Sequence, residues 1–131
     1  MVALDFDLGS LRAEPVDPLV AQTTAWVLAA FRSAGADPMV GARLGPLLTD
    51  AGFAAVQTFG IQDYLAPDDP RGPAMMSGMV RSLAPRMLAS GIATSEQLGL
   101  DTLRERLAAR LQASRSVFVS PILVGAWGCR P

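Results

Sequence analysis

The chain has 131 residues, half of them hydrophobic, a mean hydropathy of +0.32 and a formal net charge of −1. That is the length of one ordinary domain with enough apolar side chain for a core, and it excludes a disordered chain. There is no histidine, one cysteine (Cys129), and the 11 basic residues are all arginines scattered along the chain, which excludes a disulfide framework, a Cys/His zinc site and a histidine triad and leaves no basic stripe for nucleic acid. The first apolar run, "MVALDFDL", holds two acids and follows no basic segment, and no run approaches the ~18 apolar residues of a membrane span. The expectation is a soluble, cytoplasmic protein with no metal, membrane or nucleic-acid partner.

In chain order, "VALDFDLG" predicts strand one over residues 2–7, ending in a loop. Asp17 before Pro18 is an N-cap signal with proline at the first helical position, and Leu19, Val20, Trp26, Val27, Leu28 and Phe31 then recur at helical spacing until Gly35. "DPMVGARLGPLLTDAGF" repeats that pattern in small, with Val40, Leu44, Leu47, Leu48 and Ala51 on one face and Pro46 expected to divide it. Strand two is placed near residues 54–61, in "FAAVQTFGIQDYL". "APDDPRGPAMM" reads as a loop. Met76, Met79, Val80, Leu83 and Met87 mark a third helix, bent or shortened near Pro85. Thr94 and Gln97 match a capping box, and a fourth helix is expected from about Asp101, capped by its side chain, with Leu103, Leu107 and Leu111 inward. The β-rich "SVFVSPILVGAW" is strand three, residues 116–126, with a bulge or an edge at Pro121. The fold class is α/β, and the helical crossover between strands one and two favours a parallel pair.

An enzyme without histidine must rely on carboxylates, hydroxyls or positioning. Asp5 and Asp7 share one face of strand one at its C-terminal end, the place where open α/β sheets bind ligands, though a solvated edge explains the pair as well. Met75, Met76, Met79 and Met87 read as either a pliable pocket or ordinary core. Trp26, Phe31, Phe53, Phe59 and Trp127 read as core members, and Cys129 as a structural or incidental thiol. No glycine cluster follows a strand in the manner of a nucleotide cradle.

Four features together resemble the C-terminal half of a class I S-adenosylmethionine-dependent methyltransferase of the small-molecule, ubiquinone/menaquinone-methyltransferase-like type. They are the strand and loop "LDFDLGSL", the unit "GARLGPLLTDAGFAAVQTF", the helical insertion after it and the closing "LVGAWGCRP". The resemblance implies a Rossmann-like half-sheet of three mixed strands, with strand three antiparallel between strands one and two, flanking helices, and a single partial domain over 1–131. It further implies that the loop after strand one and the helical insertion at 66–113 form the wall and lid of a pocket for a small-molecule acceptor. Asp5, Asp7, Leu8, Met75, Met76 and Met79 become the substrate-pocket candidates. The cofactor implied is S-adenosylmethionine, whose glycine-rich loop lies in the half this chain does not match, so no cofactor-binding residue is assigned within it. The implied chain is one part of a split enzyme or a truncated reading frame, inactive alone, awaiting an N-terminal half at the free edge of strand one. A different class of reading is a non-catalytic binding or dimerisation module that pairs as a homodimer through strand one.

Overall fold

The computed structural model describes residues 1–131, and its β-structure consists of three passes of the chain, each broken once. The first pass runs β1 (Val2–Asp7), a 3-10 turn at Leu8–Ser10, then β2 (Arg12–Glu14). The second runs β3 (Ala54–Ile61) then β4 (Tyr64–Leu65), and the third β5 (Val117–Val119) then β6 (Ile122–Cys129). One three-stranded sheet has the order β1-β6-β3 and the other β2-β5-β4, so the third pass is central in both. Every ladder is antiparallel. β1 and β3 therefore run parallel to one another without touching, and the direct parallel pair expected from the crossover is not formed, because β6 occupies the position between them.

The break between the two sheets is a corner at which all three passes turn, in the way strands switch sheets elsewhere. Its polar groups satisfy one another. Ser10 Oγ accepts the Ile122 amide at 2.9 Å, Ser120 Oγ accepts the Asp63 amide at 2.9 Å, and Gln62 Nε2 donates to the Ser120 carbonyl at 2.9 Å. The single strand expected over 116–126 is thus β5 and β6, separated at Ser120 and Pro121. Proline has no amide to donate to a ladder, which makes it the natural breakpoint.

The helices are α1 (Pro18–Ser33), α2 (Leu44–Asp50), α3 (Arg71–Ala89), the one-turn α4 (Ser95–Leu98) and α5 (Leu100–Ser114), with a further 3-10 turn at Val40–Arg43. Asp17 caps α1 as expected, its Oδ1 accepting from the Leu19 and Val20 amides, and the Thr94–Gln97 capping box is formed. Three boundaries differ from expectation. The second apolar segment divides between Arg43 and Leu44, and Pro46 sits in the first turn of α2. α3 begins within the proline tract that reads as a loop, with Pro70 as its N-cap residue and Pro73 in its first turn. The first amides of a helix have no intrahelical acceptor, so these prolines forfeit nothing, and α3 also continues past Pro85 to Ala89. Asp101 lies in the first turn of α5, and the cap position belongs to Gly99, at φ +51°.

Two apolar clusters follow from this arrangement. The larger packs α1, α3 and α5 against the β2-β5-β4 sheet, with Val20, Val27, Met76, Val80, Met87, Leu103, Leu107, Leu111 and Phe118 fully enclosed. Residues 66–113 therefore supply much of the main core. The smaller cluster packs Leu44 and Leu48 of α2 against Ala126 on one face of the β1-β6-β3 sheet.

The opposite face of that sheet is bare. The register places Val2, Leu4 and Phe6 beside Trp127, Gly125 and Leu123, and these beside Gln57, Phe59 and Ile61. Val2, Leu4, Phe6, Phe59, Ile61 and Trp127 are between 38% and 70% exposed. Phe59 and Trp127, expected in the core, instead lie on this face with ring centroids 5.8 Å apart, the Phe59 ring covering Gly125. Alternation alone brings them there, since both share a face with Leu4 and Phe6, and α2 covers only the other.

Candidate functional site

A cavity of about 570 Å³ lies where β1, the C-terminal end of α1 and the middle of α3 meet. Asp5 and Phe6 both line it, and consecutive strand residues point to opposite faces, so the cavity abuts the outer edge of β1, the one not paired with β6. Leu8 closes the end of the strand, Phe31 enters from α1, Pro38 and Val40 from the turn after it, and Met79 and Leu83 from α3. The walls are predominantly apolar, and the polar side chains among them are Asp5, Asp37 and Ser82. A concave, mainly apolar space with a few polar groups is the usual form of a small-molecule site.

Two backbone features hold the rim. The Leu8 amide donates to the Pro38 carbonyl at 2.9 Å, tying the end of β1 to the loop after α1. Gly41 presses its backbone onto β1: a Cβ there would stand 2.6 Å from the Phe6 carbonyl carbon and 2.8 Å from the Asp5 carbonyl oxygen. Only glycine fits at such an approach. Asp37 fixes its own loop by accepting the Met39 amide at 2.9 Å and holding the Arg43 guanidinium. The Met39 amide bond first, then the Arg43 hydrogen bond, keep its carboxyl below the ordinary value of 3.8.

Of the six residues singled out from the sequence, the structure brings Asp5, Leu8 and Met79 together in this cavity. Asp7 is directed elsewhere: its Oδ1 accepts the Gly9 amide at 3.0 Å and caps the 3-10 turn after β1. Met76 is fully buried in the main core, and Met75 packs against that core half-buried. Phe31, Asp37, Pro38 and Val40 escaped the sequence reading. For Asp37, Pro38 and Val40 the signal was the tract "GADPMVG", in which Asp before Pro marks a turn anchored by the aspartate side chain; Phe31, on α1, reads in the sequence only as core.

An adenosyl cofactor would need a glycine-rich turn with free amides and open space beside it. The glycine that follows β1 offers neither. The Gly9 amide is taken by Asp7, and Met39 stands 3.1 Å from the position of a Cβ on Gly9. The turn after β1 does not form a cradle for S-adenosylmethionine. No group of three or more acidic or sulfur side chains converges to hold a metal ion, and no helix is long and apolar enough to cross a membrane. No protein-family model matches the chain, and no curated protein matches it.

Proposed function

We propose that this chain is the acceptor-binding half of a small-molecule methyltransferase that uses S-adenosylmethionine, a Rossmann-like half-fold whose cofactor is held by a second polypeptide segment. The observation that carries the reading is the sheet order β1-β6-β3 with the last strand antiparallel between the other two, the arrangement implied by the resemblance of "LDFDLGSL", "GARLGPLLTDAGFAAVQTF" and "LVGAWGCRP". The cavity supports it further, because it opens beside the free edge of β1, where a cofactor-bearing half would pair. This chain's part is to bind and orient the acceptor: Phe31, Val40, Met79 and Leu83 exclude water from it, and Asp5 fixes a polar group at the strand edge. Positioning and desolvation of this kind need no histidine.

The test is calorimetry followed by transfer. The 131-residue chain titrated with S-adenosylmethionine is expected to give no binding heat. Co-expressed with a polypeptide that supplies a strand followed by a glycine-rich turn, it is expected to move a labelled methyl group onto small molecules from a cell extract. Tight binding by the chain alone would overturn the division of labour, and absence of transfer by the assembled pair would overturn the activity.

A second reading, a non-catalytic association module, is favoured by the bare sheet face. With full side-chain areas of roughly 150–250 Å² for its aromatic residues, the face offers on the order of 600 Å² of apolar surface. It carries no charge, so a second copy meets no like-charge repulsion, and two such faces bury about 1,200 Å², the lower bound of a stable interface. Sedimentation would then show a concentration-dependent dimer that Leu4→Lys weakens at least tenfold. A monomer at high concentration removes this reading.

A further inference from the structure

The cavity at the edge of β1 has one carboxylate with no cationic partner. Asp5 Oδ1 accepts the Phe6 amide at 2.7 Å, and no arginine pairs with the carboxylate. The other carboxylate in the wall, Asp37, is occupied by Arg43 and the Met39 amide. The nearby cations are turned to other work. Arg43 holds Asp37, and Arg32 reaches Met39 Sδ at 3.8 Å, so neither lines the cavity. The third polar side chain, Ser82, is a neutral hydroxyl on α3. Around these groups stand Phe6, Leu8, Phe31, Val40, Met79 and Leu83.

From this juxtaposition we infer that the cavity binds a cationic amphiphile: an aromatic or otherwise apolar body carrying a protonated amine, the body packed among Phe31, Val40 and Met79 and the amine on Asp5. The physical case is one of selection. An apolar body of about 10–15 heavy atoms gains from leaving water whatever its charge. The Asp5 carboxylate is exposed and its field is partly screened, yet its sign favours an ammonium and repels an acid of the same shape. The volume of about 570 Å³ falls within the range of small-molecule sites, roughly 300–1,000 Å³. Gly78, on the cavity side of α3, has nothing within 4 Å of its Cβ position, so that wall is open to a bulky ring.

The inference rests on the reading of this cavity as the acceptor site and names the class of acceptor. Its test measures binding with no methyl donor present, so it can fail while methyl transfer stands, and the reverse. The probes are 2-(1-naphthyl)ethylamine, the neutral 2-(1-naphthyl)ethanol and 1-naphthylacetate, titrated into protein with ¹³C-labelled methionine methyls. Met79 lines the cavity, and Met76 and Met87 are fully buried in the main core, so the three signals separate site from scaffold. The amine is expected to shift the Met79 methyl while leaving those of Met76 and Met87 in place, and to bind at least tenfold tighter than the alcohol, with the acid weaker still. Asp5→Asn, an isosteric change, should bring the amine's affinity down to the alcohol's. Asp50→Asn, an equal charge change on α2 away from the cavity, should leave both unchanged. Equal binding of all three probes, retention of the preference in Asp5→Asn, or no shift of Met79 with any probe would each overturn the inference. Because the three probes are compared on the unaltered protein, the test does not depend on any variant folding.

Discussion

Asp17 does two jobs with one carboxylate. It is 1% exposed; Oδ1 accepts the Leu19 and Val20 amides, and Oδ2 accepts Arg110 Nε at 3.0 Å from α5. Asp17→Ala removes the cap of α1 and strands Arg110, for a combined cost of about 2–3 kcal/mol, the ion-pair share discounted because Arg110 is half exposed. Asp17→Asn keeps a capping oxygen and should cost about half as much; urea denaturation separates the two. Two glycines sharpen the same kind of comparison. A Cβ on Gly41 meets the backbone of β1, which cannot yield, whereas a Cβ on Gly125 meets the Phe59 ring, and that ring lies on the open face where it can swing into solvent. Gly41→Ala is therefore expected to destabilise by about 1–3 kcal/mol and to loosen the cavity rim, and Gly125→Ala by less, although its nominal contact is shorter. Asp37 gives the rim a pH dependence. Its folded value is depressed, so its contribution is complete above the unfolded value of 3.8 and is lost as pH falls through the lower folded value. The Asp37–Arg43 contact should persist to pH values where the unfolded carboxyl is already protonated, which a carboxyl-carbon NMR titration reads directly.

At the scale of elements, legibility in the sequence followed length and periodicity. Strand one over 2–7, strand two over 54–61, the capped start of α1 and the Thr94–Gln97 box were all readable, because each is written in local alternation or in capping chemistry. β2 and β4 were not, since three and two residues are too few to show a period, and they exist only because β5 lies between them. The helical start at Arg71 was hidden by prolines that oppose a helix interior but suit its first turn. The cavity was half legible: a strand end and a methionine on α3 were found, but the "GADPMVG" wall comes into contact through tertiary packing alone. The corner between the sheets offers an element-level test. Ser120 is 4% exposed, and its hydroxyl is the acceptor for the Asp63 amide. Ser120→Ala leaves that amide without its partner and should cost about 1–3 kcal/mol by thermal or urea unfolding. A Met79→Ala change, at a half-buried position on the cavity wall, should cost less than Met87→Ala in the closed core, where about 2–5 kcal/mol is usual for such a truncation.

The whole molecule is built unevenly. The core around α1, α3 and α5 encloses long side chains from three helices and a sheet, while the β1-β6-β3 layer is held by Leu44, Leu48 and Ala126 on one face and by nothing on the other. Local stability follows buried apolar contact, so the two layers should open independently. Hydrogen exchange is expected to show the amides of α1, α3 and α5 exchanging only through global unfolding, and those of β1, β3 and β6 exchanging through a cheaper, partial opening. An antiparallel sheet that faces water usually alternates polar side chains outward, and here Val2, Leu4, Phe6, Phe59, Ile61 and Trp127 stand there instead. Covering that face would remove the partial opening without touching the helical core. Protection should therefore rise selectively in β1, β3 and β6 when a partner is supplied. If the partner is a second copy, the rise tracks protein concentration and is lost in Leu4→Lys; if it is a cofactor-bearing half, the rise is independent of self-concentration and extends to the outer edge of β1 and the Asp5 amide. Uniform protection across both layers at every concentration would show that the thin layer is stable alone and that its apolar face has no structural need of a cover.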